Sequence, residues 1–234
     1  MTDLSAARRG IVEALFILVS ILLAFWIDAW WDERQAAGME RAMLGAVAEE
    51  LARNEEEIAA NIARLEAYLD RIDRLLRASD ATLLALPQDS VVAWVGALPG
   101  RASFNGDLEA TTMLLQTPAV DSEGSLAVRA RLARWRNGID EAELLGGQLD
   151  QEAIRVNRLL ARYAARVAPD GDAGVARMAA RLGVAGLLEI RNDEVLIGAL
   201  LSKADAQRIH RQFLVRAIRS MPDLAAAVEE LTVR

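Results

Sequence analysis

The chain has 234 residues, the length of one or two domains, and 53% of them are apolar, which excludes a disordered protein. It contains no cysteine and one histidine, so disulfides, zinc–thiolate sites and multi-histidine metal sites are excluded. Acidic residues outnumber basic residues by 34 to 27, and all but one of the bases are arginine. An acidic chain without a basic block is not expected to bind nucleic acid.

An apolar segment near the N-terminus is the strongest feature of the sequence. Residues 14–27 carry no charge, and the wider range 10–31 contains only Glu13 and Asp28 as charged residues. A helix over that wider range is roughly 33 Å long, which is enough to cross the hydrocarbon core of a bilayer. The expected anchors at its two membrane interfaces are Arg8, Arg9, Trp26, Trp30 and Trp31.

A cleaved signal peptide is the alternative interpretation of this segment. The residues around Asp28 lack the small-x-small pattern of a cleavage site, so the sequence favours an uncleaved signal anchor. The tight pair Arg8–Arg9 favours a cytoplasmic N-terminus. We therefore predict a short cytoplasmic tail over 1–10, a transmembrane signal anchor over 11–31 and an all-helical extracytoplasmic domain over 32–234.

One face of the membrane helix collects its polar and small residues. Glu13, Ser20, Ala24 and Asp28 fall within an arc of about 80° at 100° per residue. Ser20 and Ala24 have the small-x-x-x-small spacing that lets two helices approach closely, so this face is a candidate helix–helix interface. The alternatives are an ordinary lipid-facing helix and, for Glu13, a proton relay or a simple pair with Arg9.

Two proline-free stretches beyond the anchor have the pattern of long amphipathic helices. In the first, a seven-residue repeat places apolar residues on one face, with Gly38 as a candidate hinge to the membrane helix. Its two core positions hold Leu44, Leu51, Ile58, Leu65 and Ile72, and Val47, Asn54, Asn61, Tyr68 and Leu75. The second runs from about Leu132 to Val167 with the same spacing, and Gly146–Gly147 is either a weak point or a place of close packing.

Shorter helices are expected between and after the long ones. Asp89 or Ser90 is a candidate cap for the first of them, residues 107–116 form the second, and a glycine-interrupted helix follows over 174–190. Asn192 or Asp193 caps a further helix, and Pro222 starts the last one. No strand-like alternation is present, so the predicted class is all-α, a helical bundle or an extended helical hairpin with two long helices.

Few residues of the sequence are candidates for a catalytic, ligand-binding or metal-binding role. Asn54 and Asn61 lie on the face expected to be buried, where they set register or oligomeric state, line a polar pocket or meet the backbone of the 99–106 loop. His210 is expected to be structural, and the arginines between 129 and 136 point to more than one helix face, which disfavours a single anion site there. No P-loop, nucleophile elbow or zincin motif occurs. We therefore expect no enzyme, no cofactor and no metal site.

The opening of the chain resembles a family of uncharacterised bacterial single-pass membrane proteins, known only by a domain-of-unknown-function label. The matching residues are Glu13, Leu23–Ala24, Asp28–Ala29–Trp30, Glu33–Arg34, Glu50–Leu51, Asn54, the stretch Thr111–Val120 and Asn192–Asp193–Glu194. The resemblance implies an N-terminal anchor in the bacterial inner membrane and a helical domain outside the cytoplasm. It implies no activity.

The expected function is that of a membrane-anchored helical interaction or scaffold protein. Its partners would be the lipid bilayer and either a second copy of the chain or another membrane protein, which makes it an oligomer or an accessory subunit. The alternative is an extracytoplasmic sensory or ligand-binding module that works through a membrane partner.

Overall fold

The computed structural model describes residues 3–100, 104, 106–117, 123–167 and 175–233. Every regular element within these ranges is an α-helix, which confirms the predicted all-α class. The helices are α1 (Asp3–Arg77), α2 (Asp80–Leu84), α3 (Gln88–Ala97), α4 (Glu109–Gln116), α5 (Glu123–Val167), α6 (Val175–Asn192) and α7 (Glu194–Val233).

α1 joins the apolar N-terminal segment and the first amphipathic repeat in one helix of 75 residues. A helix of that length is roughly 110 Å long. Gly38 lies inside this helix and does not end it, and a Cβ at Gly38 would meet nothing within 4 Å. The apolar segment and the first helix of the bundle are therefore parts of the same helix.

α1, α5 and α7 form the frame of the bundle, and α7 runs antiparallel to the other two. The hydroxyl of Tyr163, near the end of α5, donates a 2.7 Å hydrogen bond to Asp193, just before α7. At the opposite end, a Cβ on Gly124 of α5 would lie 3.2 Å from the Leu231 side chain of α7. We call this second end proximal, because it lies next to the apolar segment of α1, and the other end distal.

The core consists of two apolar clusters stacked along the bundle. The proximal cluster joins α1, α4, α5 and α7, and its largest members include Leu51, Ile58, Leu65, Phe104, Leu132, Trp135, Ile139 and Leu214. The distal cluster adds α2, α3 and α6, and includes Tyr68, Ile72, Leu75, Leu83, Val95, Leu160, Leu187, Ile190 and Leu200. Both predicted core positions of the first repeat are buried throughout, and so is the apolar face of α5 from Leu132 to Tyr163.

Two predicted boundaries are wrong. Pro222 does not start a helix, because α7 continues through it to Val233. Proline removes one helical hydrogen bond, but the neighbouring Met221 and Leu224 are buried in the proximal cluster and hold the helix in place. α3 begins at Gln88 directly after Pro87, so Asp89 and Ser90 lie inside its first turn instead of capping it.

Two other predictions about helix ends are confirmed. Gly183 interrupts α6 with a φ of 59°, a left-handed conformation that favours glycine. Asp193 caps α7, because its Oδ1 accepts hydrogen bonds from the N–H groups of Val195 and Leu196, each at 3.0 Å. These hydrogen bonds and the one from Tyr163 lower the pKa of Asp193.

Candidate functional site

No other segment in the described part of the chain covers the apolar part of α1. The tryptophans Trp26, Trp30 and Trp31 are 65, 46 and 62% exposed, and the aliphatic residues between Leu15 and Ile27 are similarly exposed. Large apolar patches of this kind mark contacts with a membrane or a partner. α1 is also the only helix in the described part of the chain that is long and apolar enough to cross a membrane.

Ser20, Ala24 and Asp28 lie on one face of the apolar part of α1. Ser20 donates a 2.8 Å hydrogen bond to the carbonyl of Phe16, so the hydroxyl is already paired inside the helix. The small surface formed with Ala24 therefore presents no unpaired polar group to lipid or to a second helix. Asp28 follows on the same face near the tryptophans. The side chains of Arg8, Arg9 and Glu13 lie outside the described residues.

A buried ion pair closes the proximal end of the bundle, nine residues or roughly 13 Å of helix after Trp31. Glu40 of α1 accepts a 3.0 Å hydrogen bond from the guanidinium of Arg129 on α5 and also binds the hydroxyl of Ser125. Arg129 donates further bonds to the carbonyls of Leu114 and Thr117, at 2.5 and 2.7 Å. This network ties α1, α4 and α5 together where the bundle begins.

α4 is fastened to α1 by two polar side chains. The buried carboxylate of Glu50 accepts hydrogen bonds from the N–H groups of Ala110 and Thr111, at 2.6 and 3.2 Å, in the first turn of α4. Asn54, one turn further, exchanges two hydrogen bonds with the backbone of Asp107, at 2.6 and 3.1 Å. Asn54 therefore meets the backbone just before α4, one residue beyond the 99–106 loop named from the sequence.

The single lysine of the chain lies in the distal half of the bundle. Lys203 is fully buried, lies 4.4 Å from the centre of the Tyr68 ring and donates hydrogen bonds to the carbonyls of Leu98 and Gly100. Burial lowers the pKa of Lys203 to about 8 and raises that of Tyr68. The two carbonyls and the ring favour the ammonium, so Lys203 is charged at neutral pH.

Three buried polar side chains, which we call the polar layer, lie in the middle of the bundle, where Asn61 is flanked by Ile58 and Leu65 of the proximal cluster. Asn61, Gln207 and His210 are 0, 1 and 0% exposed, and each has at least one buried polar atom without a hydrogen-bond partner in the described structure. The contact of Tyr68 with Lys203 and the pair of Glu66 with Arg211 set the register of α1 against α7, which places His210 opposite the stretch 61–67 of α1.

The imidazole of His210 faces α5. Burial lowers its pKa below the ordinary value of 6.5, and the backbone of Ala142 acts in the opposite direction. Gly146, the buried glycine one turn beyond Ala142, has open space beside it, because a Cβ there would meet nothing within 4 Å. The glycine pair of α5 therefore does not permit a closer helix approach, and α5 passes through it unbroken. Unpaired polar atoms next to free volume are typical of a site that takes up water or a ligand.

The arginines of the first part of α5 do not form one anion site. Arg129 is engaged by Glu40, whereas Arg136 lies 3.8 Å from Asp140. Arg131 and Arg134 line an open groove of about 620 Å³ against α7, where Asp223 and Glu230 balance their charge. This groove is wide and carries both positive and negative side chains, so it is not an anion site.

The described residues contain no group of three His, Asp or Glu side chains that could hold a metal ion. Comparison of the chain with protein-family models, with curated proteins and with solved structures found no match. Sequence reasoning missed Glu40, Glu50, Arg129, Lys203 and Gln207 as buried polar residues. A signal existed for one of them, because Lys203 is the only lysine among 27 basic residues.

Proposed function

We propose that the chain is a membrane-anchored helical interaction protein, whose bundle stands outside the cytoplasm and whose membrane helix associates with a second membrane helix. One observation carries the proposal: α1 is a single helix whose first part is apolar and exposed and whose second part is a core helix of the bundle. Any partner of the membrane segment is thereby coupled to the bundle without a flexible joint.

The association surface is the face that carries Ser20 and Ala24. Two helices meet closely in a bilayer when small residues four positions apart leave room for backbone contact. The paired hydroxyl of Ser20 removes the cost of bringing a polar group into that contact. Leu15 and Leu22 lie on the opposite face and would contact lipid.

The test of association compares two double variants of the full chain in native membranes and in detergent micelles. Ser20→Leu with Ala24→Leu fills the small face, whereas Leu15→Ala with Leu22→Ala alters the opposite face by a similar volume. We expect the first variant to lose most of the crosslinked species and the second to keep it. Equal crosslinking by both variants contradicts the proposal. Mass spectrometry of the crosslinked species then distinguishes a second copy of this chain from another membrane protein.

The orientation is tested by labelling, which the absence of cysteine makes simple. Gln148→Cys adds a thiol at an exposed position of α5, and Thr2→Cys adds one near the N-terminus. A membrane-impermeant maleimide should label Gln148→Cys in intact cells and Thr2→Cys only after lysis. The reverse pattern would place the bundle in the cytoplasm.

A ligand-binding module is the second candidate function. The polar layer supports it, because Asn61, Gln207 and His210 are fully buried and yet incompletely hydrogen-bonded within the described structure. Such groups normally have partners, and each unpaired buried group costs roughly 1–3 kcal/mol. A ligand on or near this layer would act on α1 and therefore on the membrane helix.

A further inference from the structure

A narrow groove opens beside the polar layer. It lies between α1 and α7, beside the C-terminal end of α3, and has a volume of about 210 Å³. Its walls include Arg64, Tyr68 and Arg71 of α1, Gly100 after α3, and Gln207 of α7. The groove therefore connects solvent to one member of the polar layer.

The charged side chains that line the groove, among the described residues, are both positive. Arg64 and Arg71 form no ion pair with a described carboxylate, although the next arginines, Arg74 and Arg77, each pair with an aspartate at 2.8 Å. The ammonium of Lys203 lies behind the Tyr68 ring that lines the groove. Among the described residues, none of those that line the groove is acidic, in contrast to the larger groove between α5 and α7.

The spacing of the two arginines fits a ligand with two anionic groups. Arg64 and Arg71 are seven residues apart, so they lie on the same face of α1 with roughly 10.5 Å of helix rise between them. Their long side chains can converge over the groove, and each guanidinium can bind a carboxylate through two parallel hydrogen bonds. A ligand with one anionic group would leave one of the two arginines unpaired.

Gln207 adds a neutral hydrogen-bonding group to the groove. It is 1% exposed and its amide oxygen has no partner among the described residues. A buried acceptor of this kind is satisfied by a ligand hydroxyl or amino group. The amide nitrogen and oxygen exchange roles when the amide rotates by half a turn, and either orientation pairs with a hydroxyl.

We propose that this groove binds a small dicarboxylate that carries a hydroxyl or amino group, with the carboxylates on Arg64 and Arg71 and the donor on Gln207. A four-carbon acid is small enough to fit in the groove. The proposal supplies a ligand class for the second candidate function. It does not depend on association of the membrane helices, so either can fail without the other.

The test uses titration calorimetry on the full chain in detergent micelles, with L-malate, succinate and inorganic phosphate as probes. L-Malate and succinate differ by one hydroxyl, which isolates the contribution of Gln207. We expect L-malate to bind most tightly, succinate to bind about tenfold more weakly and phosphate to bind least. No binding of either acid overturns the proposal, and so does phosphate binding as tight as that of L-malate.

Three variants assign the binding to this groove. Arg64→Gln with Arg71→Gln should weaken L-malate binding at least about tenfold, whereas Arg74→Gln, one turn further along α1, should leave it unchanged. Gln207→Met should abolish the preference for L-malate over succinate, and it should not unfold the bundle because it removes an unpaired buried group. Equal weakening by Arg74→Gln, or a preference that survives Gln207→Met, contradicts the proposed site.

Discussion

The ammonium of Lys203 lies 2.9 Å from the carbonyl oxygen of Leu98, at the end of α3. The last carbonyls of a helix have no partner within the helix and carry the negative end of its dipole. A buried lysine that donates to them stabilises the end of α3 and connects that helix to α7. The hydroxyl of Tyr68 donates to the same carbonyl at 3.2 Å, so α1 shares the contact.

Replacing this lysine should loosen the distal half of the bundle. Lys203→Met leaves the buried carbonyl of Leu98 with only the Tyr68 hydroxyl, and we expect the free energy of unfolding to fall by roughly 1–3 kcal/mol. Urea unfolding in detergent micelles measures the change. Gln148→Met, at an exposed position of α5, is the control and should have no effect. A Lys203→Met protein as stable as the native chain would contradict the capping role.

Replacing Glu50 should destabilise the bundle far more than replacing its neighbour Glu49. Glu50→Ala removes the acceptor of the Ala110 and Thr111 N–H groups in the first turn of α4, and we expect a loss of roughly 2–3 kcal/mol. Glu49 is exposed and contacts Arg53 only at 3.9 Å, so Glu49→Ala should cost under about 0.5 kcal/mol. Hydrogen exchange of the Ala110 and Thr111 amides is the specific measurement, because it should accelerate only in Glu50→Ala.

The pair of Glu40 and Arg129 is expected to behave as a buried ion pair. Glu40→Ala leaves the guanidinium buried with only neutral partners, two carbonyls and the Ser125 hydroxyl, which should destabilise the bundle by roughly 3–5 kcal/mol. The double variant Glu40→Leu with Arg129→Met should recover most of that stability. Asp73→Ala is the control, because it breaks an exposed pair with Arg77 and should cost no more than about 0.5 kcal/mol.

If the double variant stayed as unstable as Glu40→Ala, the hydrogen bonds of Arg129 to the carbonyls of Leu114 and Thr117 would be the main source of stability. The ion pair would then be secondary. Thermal unfolding of the three variants side by side separates these two outcomes.

Stability should fall on acidification because of His210. Burial lowers the pKa of His210 in the folded state below the 6.5 of the unfolded chain, so the unfolded state binds the proton first. The contribution of neutral His210 to the free energy of unfolding is therefore fully present above about pH 6.5. It decreases as the pH falls from 6.5 towards the folded-state pKa, by at most about 1.4 kcal/mol per pH unit. Unfolding at pH 7.0, 6.5, 6.0 and 5.5 measures the slope. His210→Leu should remove it, and a slope that persists in this variant would assign it to other groups.

The sequence pattern predicted most of the frame of the bundle. Apolar residues repeated every three and four positions identified α1 and α5, and the structure buries the predicted positions from Leu44 to Leu75 and from Leu132 to Tyr163. The helix-breaking rule for proline predicted an end of α7 at Pro222, which is wrong, because tertiary packing around Met221 holds the helix through it. Local rules fail where the core supplies the missing stabilisation.

The burial of the charged residues could not be predicted from the sequence pattern. Glu40 and Glu50 lie in a helix rich in glutamate, and periodicity does not distinguish an acid that points to solvent from one that meets the first turn of α4. Their burial depends on where α4 and α5 pack, which only the folded chain determines. The groove at Arg64 and Arg71 is equally invisible in sequence, because Gln207 comes from a helix more than 130 residues away.

Asn54 and Asn61 should respond differently to the same substitution, because they are the same residue type one heptad apart in α1 and differ in their partners. Asn54 makes two hydrogen bonds to Asp107, so Asn54→Leu should destabilise the bundle by roughly 1–3 kcal/mol. Both polar atoms of the Asn61 side chain lack a partner in the described structure, so Asn61→Leu should be neutral or stabilising. Parallel urea titrations measure both changes. A large loss for Asn61→Leu would mean that ordered water or a bound ligand pairs with Asn61. L-Malate distinguishes the two, because a ligand that pairs with Asn61 would stabilise the native chain more than Asn61→Leu, whereas a ligand held only by the groove would stabilise both equally.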